Sequence, residues 1–515
     1  MLALLLAGRV TENVTLAARQ PSETASPSHA DGQVTGAATE AEARPLCSVC
    51  HLFPPADILP RYAWRDEIAR MALIRGNQPQ PAGPAGTTGR MIVLPPDLER
   101  VLRYYERLAP ERLPAPAPWP AANTMTFVKR ALNPPSFPDG PAVANVRLLD
   151  VDGDGTLELL VAEMRYGLVM MGKPYTNDPT LEILAQLNNP CHVSMVDFDG
   201  DGIQDFLVAD LGEFLPTDHT HGSVVLLHGT REGKYQQLSL DGWPRVADVE
   251  AADFNGDGTL ELAVAAFGWR KVGNVTVLEN HTTDYAHPSF IPRLIDPRPG
   301  AIHVIPVDLN KDGKMDLVAV FAQQFETVVA FMNNGGTEVS FTPQVIYTGP
   351  HPNWGSSGIQ VVDGDGDLDV LLTHGDTFDD QIIKPYHGIQ WLENRGGFPF
   401  VEHTLADLPG VSRAEAVDLD GDGDLDIVAC TFIAGGSDVD ESALPSLVWL
   451  EQTKPGVFAK HTLETGNPHH ATLDVGDFDQ DGDIDIVTGN FVIQPKAVNW
   501  VEVWENRRFN PEGTR

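Results

Sequence analysis

Asp150-Val151-Asp152-Gly153-Asp154-Gly155-Thr156-Leu157-Glu158 is one copy of a nine-residue acidic stretch that occurs seven times in this chain. The copies begin at Asp150, Asp197, Asp253, Asp308, Val361, Asp418 and Asp477, 47 to 59 residues apart. Each interval repeats one plan. An apolar run such as Leu425–Cys430 follows the acidic stretch, then a run of the Trp-Leu-Glu-Asn kind (Trp391–Asn394, Trp449–Gln452, Trp504–Asn506). A third run ends as in His403–Leu405 or His461–Leu463. A period near 50 residues built of short strands predicts a β-propeller with one blade per repeat, hence seven blades and a mainly β fold.

Proline marks the crossings between blades. Pro141, Pro244, Pro299, Pro352, Pro409 and Pro468 each stand nine residues before a repeat, while Pro190 stands seven before the second. Proline cannot donate to a strand ladder, so it ends one outer strand and opens the way to the next blade. The chain stops after the third strand of the seventh unit, and Thr126–Leu132 looks like a spare outer strand. That strand is expected to complete the last blade, which removes the open sheet edges.

The acidic stretches have metal-ligand spacing. Carboxylates at positions 1, 3, 5 and 9 with glycine at 6 turn alternate oxygens inward around a tight bend, and hard oxygen ligands in that number suit Ca²⁺. The candidate ligands are Asp150, Asp152, Asp154 and Glu158; Asp197, Asp199, Asp201 and Asp205; Asp253, Asn255, Asp257 and Glu261; and Asp308, Asn310, Asp312 and Asp316. The remaining loops offer Asp363, Asp365 and Asp369; Asp418, Asp420, Asp422 and Asp426; and Asp477, Asp479, Asp481 and Asp485. Up to seven Ca²⁺ are implied. The fifth loop has Val361 where the others have their first ligand, so it is expected to be the weakest site.

Ahead of the repeats stands Cys47-Ser48-Val49-Cys50-His51. Two thiols three residues apart can bond the two vinyl groups of a haem, and the following histidine reaches the iron, so the pentapeptide implies haem c, electron transfer and an extracytoplasmic compartment. Cys191 and Cys430 are isolated in apolar surroundings and read as buried small side chains. The 72 acidic against 35 basic residues, a net charge of −37, argue against nucleic acid or anionic membrane surfaces as partners. No stretch is long and apolar enough to span a bilayer. Residues 1–44 read as a short signal-like segment and a flexible tether, 45–112 as a small all-α unit, 113–123 as a stiff Pro-rich linker, and 124–515 as the propeller.

Residues 141–515 resemble the FG-GAP/VCBS repeat family, the calcium-loop propellers of integrin α-subunits and many bacterial secreted proteins. Residues 47–112 resemble the small monohaem cytochrome c modules attached to such propellers, in which a Phe-Pro segment (here Phe53-Pro54-Pro55), a Trp-to-Met helix (Trp64–Met71) and a Tyr-Tyr helix follow the haem motif. The resemblance implies that Met71 is the sixth iron ligand. Met91, in the loop before the last helix where class I cytochromes usually place theirs, is the alternative.

If each acidic loop joins the first two strands of its blade, the opposite face gathers the longer second-to-third connections and the blade crossings. Candidate ligand-binding residues there are Trp269, Arg270, Trp354, Asp376, His387 and His470. The two tryptophans are expected to stack on a ring, and the arginine to hold an anionic group. Three functions fit: an electron-transfer protein whose propeller binds a ligand or partner, a propeller oxidoreductase or lyase acting on a polysaccharide or sugar with haem as acceptor, and an adhesion module. The implied partners are a redox protein or small-molecule electron donor, and possible carbohydrate.

Overall fold

Seven four-stranded antiparallel sheets account for all 28 strands of the computed structural model. It describes residues 36–508 apart from 50, 79–91, 122–124, 135, 136, 138, 177–179, 379, 436–439, 494, 495 and 497. Six sheets take their strands in chain order: β2 (Val143–Leu149) to β5 (Leu181–Gln186), β6 (Pro190–Val196) to β9 (Tyr235–Trp243), and β10 (Val246–Ala252) to β13 (Phe290–Asp296). The others are β14 (Ala301–Val307) to β17 (Phe341–Thr348), β18 (Ser356–Asp363) to β21 (Val401–Asp407), and β22 (Val411–Val417) to β25 (Val457–Thr465). The fold is a seven-bladed propeller.

The seventh sheet closes the ring. It holds β26 (His470–Gly476), β27 (Asp485–Asn490), β28 (Val501–Asn506) and, outermost, β1 (Phe127–Leu132) from the other end of the chain. Phe127 pairs with Asn506 and Leu132 with Val501. Lys129 then ties the closing strand to both neighbours, with Nζ 2.6 Å from Glu502 of β28 and 2.5 Å from Glu464 of β25. The expected closure is therefore present, with an ion cluster that fixes it.

The second strands, β3 (Glu158–Glu163), β7 (Asp205–Asp210), β11 (Glu261–Ala266), β15 (Asp316–Phe321), β23 (Asp426–Thr431) and β27, are buried at every residue. They lie between two sheet neighbours and between two blades, which is why they read as unbroken apolar runs. The outer strands alternate or face solvent.

Among the described residues, three α-helices precede the propeller: α1 (Glu40–Cys47), α2 (Trp64–Arg75) and α3 (Pro96–Leu108). Trp64 stacks on Tyr105 with centroids 3.8 Å apart, and Ile68, Leu98, Val101 and Leu102 complete their core. Helix α1 corrects the boundary drawn from sequence, since it begins inside the stretch read as tether. Thr39 and Glu42 form a capping box, and Arg100 of α3 holds Glu42 at 2.8 Å. The proline-rich segment is also less free than its composition suggests: Ala121 bridges to Thr462 of β25, and Lys460 lies over the Trp119 ring.

Candidate functional site

Every acidic repeat spans the turn from the first strand of its blade into the second. The first aspartate folds the loop back on itself: Asp150, Asp197, Asp253, Asp308, Asp418 and Asp477 each accept the N–H of the residue five positions on, at 2.8 to 3.0 Å. Glycine at that sixth position has a positive φ, as at Gly155 (90°) and Gly313 (83°), which a side chain would resist. The ninth residue is buried and clamped from two sides. Asp485 accepts the N–H of Phe478 at 3.2 Å and of Asn506 at 2.8 Å, and Asp316 those of Leu309 and Asn333 at 3.2 and 2.7 Å. Burial raises these carboxyls, Asp485 to about 8, Glu261 to about 7 and Asp426 to about 6.

Oδ1 of Asp150 and of Asp197 is buried without a hydrogen-bond partner. Asp150, Asp152 and Glu158 bring one oxygen each within 4.8 Å of one another. Lys173 shares that first loop, 3.1 Å from Glu158 and 3.3 Å from Asp152. The fifth loop differs. Val361 lies inside β18, pairing with Val370, and the ladder runs on to Asp363–Leu368, leaving a tighter turn. Its Asp369 spends its oxygens on Trp391 Nε1 (2.8 Å) and Asn394 N (2.6 Å).

The residues that end the third strands have a job. Asn333, Asn394, Gln452 and Asn506 donate their side-chain amides to the carbonyl before the ninth residue while their backbone N–H holds its carboxylate. The recurrence of Asn at the end of the Trp-Leu-Glu run was the signal.

On the opposite face lie the second-to-third connections. Trp269 and Arg270 are half-buried, the guanidinium 4.7 Å from the indole centroid, and Asp218 accepts the Arg270 N–H at 2.9 Å. Asp376 is half-buried and caps Phe378 N at 2.7 Å. Three of the residues expected on this surface are instead interior. Trp354 stacks on His374 at 3.8 Å and is 8% exposed, so its face is already covered. His387 is fully buried between Trp354's loop and Tyr386, and His470 is fully buried against Glu464 at 2.7 Å, where it supports the closing strand. Aromatic and polar residues near a propeller axis pack between blades, a choice their sequence context does not reveal.

The helices sit on this same face. Tyr386, in the β19 (Leu368–His374) to β20 (Gly388–Glu393) connection, donates its hydroxyl to Ile58 O at 3.2 Å, and Ile382 from that connection joins the helical core. Lys271, beside Arg270, reaches Asn77. His51 is half-buried, and its Nδ1 lies 2.7 Å from Leu52 O. Burial and then the nearby Arg270 charge lower the pKa of His51. Cys47 is a free, buried thiol, and Met71 lies half-buried on α2. Cys50 and Met91 lie outside the described residues. Cys191 and Cys430 are also free thiols, the second fully buried.

A family model described as FG-GAP-like repeat matches residues 197–264, 308–372 and 362–429, which takes in the second to sixth acidic loops. The propeller carries FG-GAP-like repeats. Solved structures similar to it include BBS1N in complex with ARL6DN soaked with lead, at 10% identity over 76% of this chain and 97% of that one, with a TM-score of 0.43. The same complex soaked with mercury aligns at 10% identity over 74% and 96%, with a TM-score of 0.46. No curated protein matches the chain. The matched segments begin within one residue of the start of an acidic loop and end in the strand that follows the next loop. Among the described residues no helix is long and apolar enough to cross a membrane.

Proposed function

We propose that this is an extracytoplasmic electron-transfer protein: a monohaem c head docked on the ligand-binding face of a calcium-stabilised propeller. The reading is supported by the Cys47–His51 sequence together with the contacts of Tyr386 with Ile58 and of Lys271 with Asn77, which seat the helices on the face where the long connections gather. Leu52 O engages Nδ1 of His51, which leaves Nε2 as the iron-binding atom, the usual division of labour between the two ring nitrogens. Cys47 and Cys50 would bond the haem and Met71 supply the sixth ligand, with Met91 as its rival. The haem would accept and release single electrons. Arg270 would keep positive charge next to the proximal histidine, and the Trp64–Tyr105 stack would exclude water from the head's core.

Calcium fits the acidic loops for a physical reason. The unpartnered Oδ1 of Asp150 and Asp197, buried among further carboxylates, is costly without a cation. A second reading, favoured by the same docking, makes the propeller an enzyme that oxidises a sugar-like ligand near Trp269, Arg270 and Asp376 and hands electrons to the head.

Protein matured with cytochrome c assembly factors should carry one covalent haem, seen in its intact mass and its alkaline pyridine spectrum. Cys47→Ser or Cys50→Ser should weaken that attachment. Wild-type protein without covalent haem would refute the reading. A screen of candidate donors for haem reduction, with and without Arg270→Ala, would separate enzyme from carrier.

A further inference from the structure

The first strands of adjacent blades contact one another around the ring, so alternate side chains of β2, β6, β10, β14, β18, β22 and β26 face the central channel. The third residues of β6, β10 and β14 are His192, Asp248 and His303, and they meet about one carboxylate. Asp248 Oδ1 lies 2.7 Å from His192 Nδ1, and Oδ2 lies 3.3 Å from His303 Nδ1. Oδ2 also accepts the Val304 N–H at 3.1 Å, which fixes the carboxylate's orientation. Two residues along β10, Glu250 brings an oxygen within 4.8 Å of both His192 and Asp248.

Two features separate this cluster from an ordinary ion pair. Asp248 is 2% exposed and His192 7%, with His192 Nδ1 2.7 Å from Asp248 Oδ1, and Glu250 adds a second carboxylate to the same buried spot. An imidazole and two carboxylates gathered out of water converge on a place that a cation would fill. The channel arginines do not fill that role, because Arg413 pairs with Glu415 at 2.6 Å and Arg147 with Asp474 at 3.6 Å.

We propose that His192, Asp248 and Glu250 bind a divalent transition-metal ion of the zinc class in the channel, with His303 orienting Asp248 through its second oxygen. An imidazole with two carboxylates is a mixed nitrogen and oxygen set, which suits zinc-class ions. Three protein ligands leave a coordination position open to the channel. Because the ligands come from two rigid inner strands braced by a third, little ordering is needed when the ion binds. The proposal rests on neither the haem nor the calcium reading.

The test is equilibrium dialysis of the full-length protein against Zn²⁺ with Ca²⁺ in excess, the bound metal being counted by mass spectrometry. Glu213, His219 and His221 on the β7–β8 (Gly222–Gly229) connection form a more exposed cluster that is also capable of holding zinc, so His221→Ala is the control. Wild type and His221→Ala should both retain the channel ion. His192→Ala and Glu250→Gln should each weaken its binding by at least about tenfold. No Zn²⁺ bound by wild type, or loss in His221→Ala alone, overturns the proposal. Should His192→Ala fail to fold by its melting curve, Glu250→Gln decides, since it keeps the side chain's shape; full zinc binding by that variant also overturns it.

Discussion

Replacing Glu326 by Gln should change how stability depends on pH far more than stability itself at acid pH. Glu326 stands between β15 and β16 (Thr327–Asn333), 4% exposed, and accepts the Ser356 N–H at 2.8 Å. Burial, with a further push from Asp376, raises its carboxyl from 4.5 to about 8. Between those values the folded protein holds a proton that the unfolded chain has released. Stability therefore falls as pH rises through this window, by about 1.4 kcal/mol per unit, and the loss is complete above the folded value. The whole shift corresponds to at most about 5 kcal/mol. Glutamine imitates the protonated acid and cannot ionise. The variant should match wild type near pH 5 and exceed it by several kcal/mol near pH 9. Urea unfolding followed by circular dichroism, with calcium fixed and in excess so that the acidic loops do not titrate, measures the difference directly. If the two proteins differ by the same amount at both ends of the range, within about 1 kcal/mol, Glu326 is not held as a neutral acid and the reasoning fails.

Chelating calcium should lower the melting temperature, by an amount set by free metal over dissociation constant, and the fifth loop should fill last as calcium is titrated in. Equal occupancy of all loops at limiting calcium would contradict that order. Leu132→Ala removes a fully buried side chain from the closing strand and should cost about 2–5 kcal/mol in thermal or urea unfolding; a cost under about 1 kcal/mol would mean that β1 contributes little to closure. Met71→Ala should abolish the Met–iron absorption band, whereas loss of that band in Met91→Ala alone would transfer the sixth ligand to Met91. Gly268→Ala should distort the loop carrying Trp269 and Arg270, because its Cβ would lie 1.3 Å from Val272 O at a φ of +61°; an unchanged Trp269 fluorescence and unfolding curve would refute this.

The ring was readable because its signals are local and repeated. The nine-residue loops, the crossing prolines and the Thr126–Leu132 remnant each name a place in a blade, and the blade count and closure follow. Loop geometry was readable for the same reason, down to the departure of the fifth copy at Val361. What the sequence hid were relations between blades. Trp354, His387 and His470 look like binding residues in one dimension, and only packing shows them buried. The channel set of His192, Asp248 and His303 is spread over 111 residues and joined by ring geometry alone. Helix α1 was a different kind of miss, for Thr39 and Glu42 spelled a capping box inside a stretch whose composition suggested a tether.

The strand that closes the ring has a consequence for synthesis. Arg130 of β1 grips Glu505 of β28 across 375 residues of sequence. On the ribosome, β1 is among the first propeller segments to emerge, and its partner is among the last. Throughout translation the growing ring therefore presents two unsatisfied edges, one waiting at each end, and each is able to recruit a strand from another nascent copy. The helical head, complete long before, can fold while the blades are still being made. A variant that slows closure would show itself first as poor yield or as exchanged strands between molecules, well before any loss in the finished protein's melting temperature.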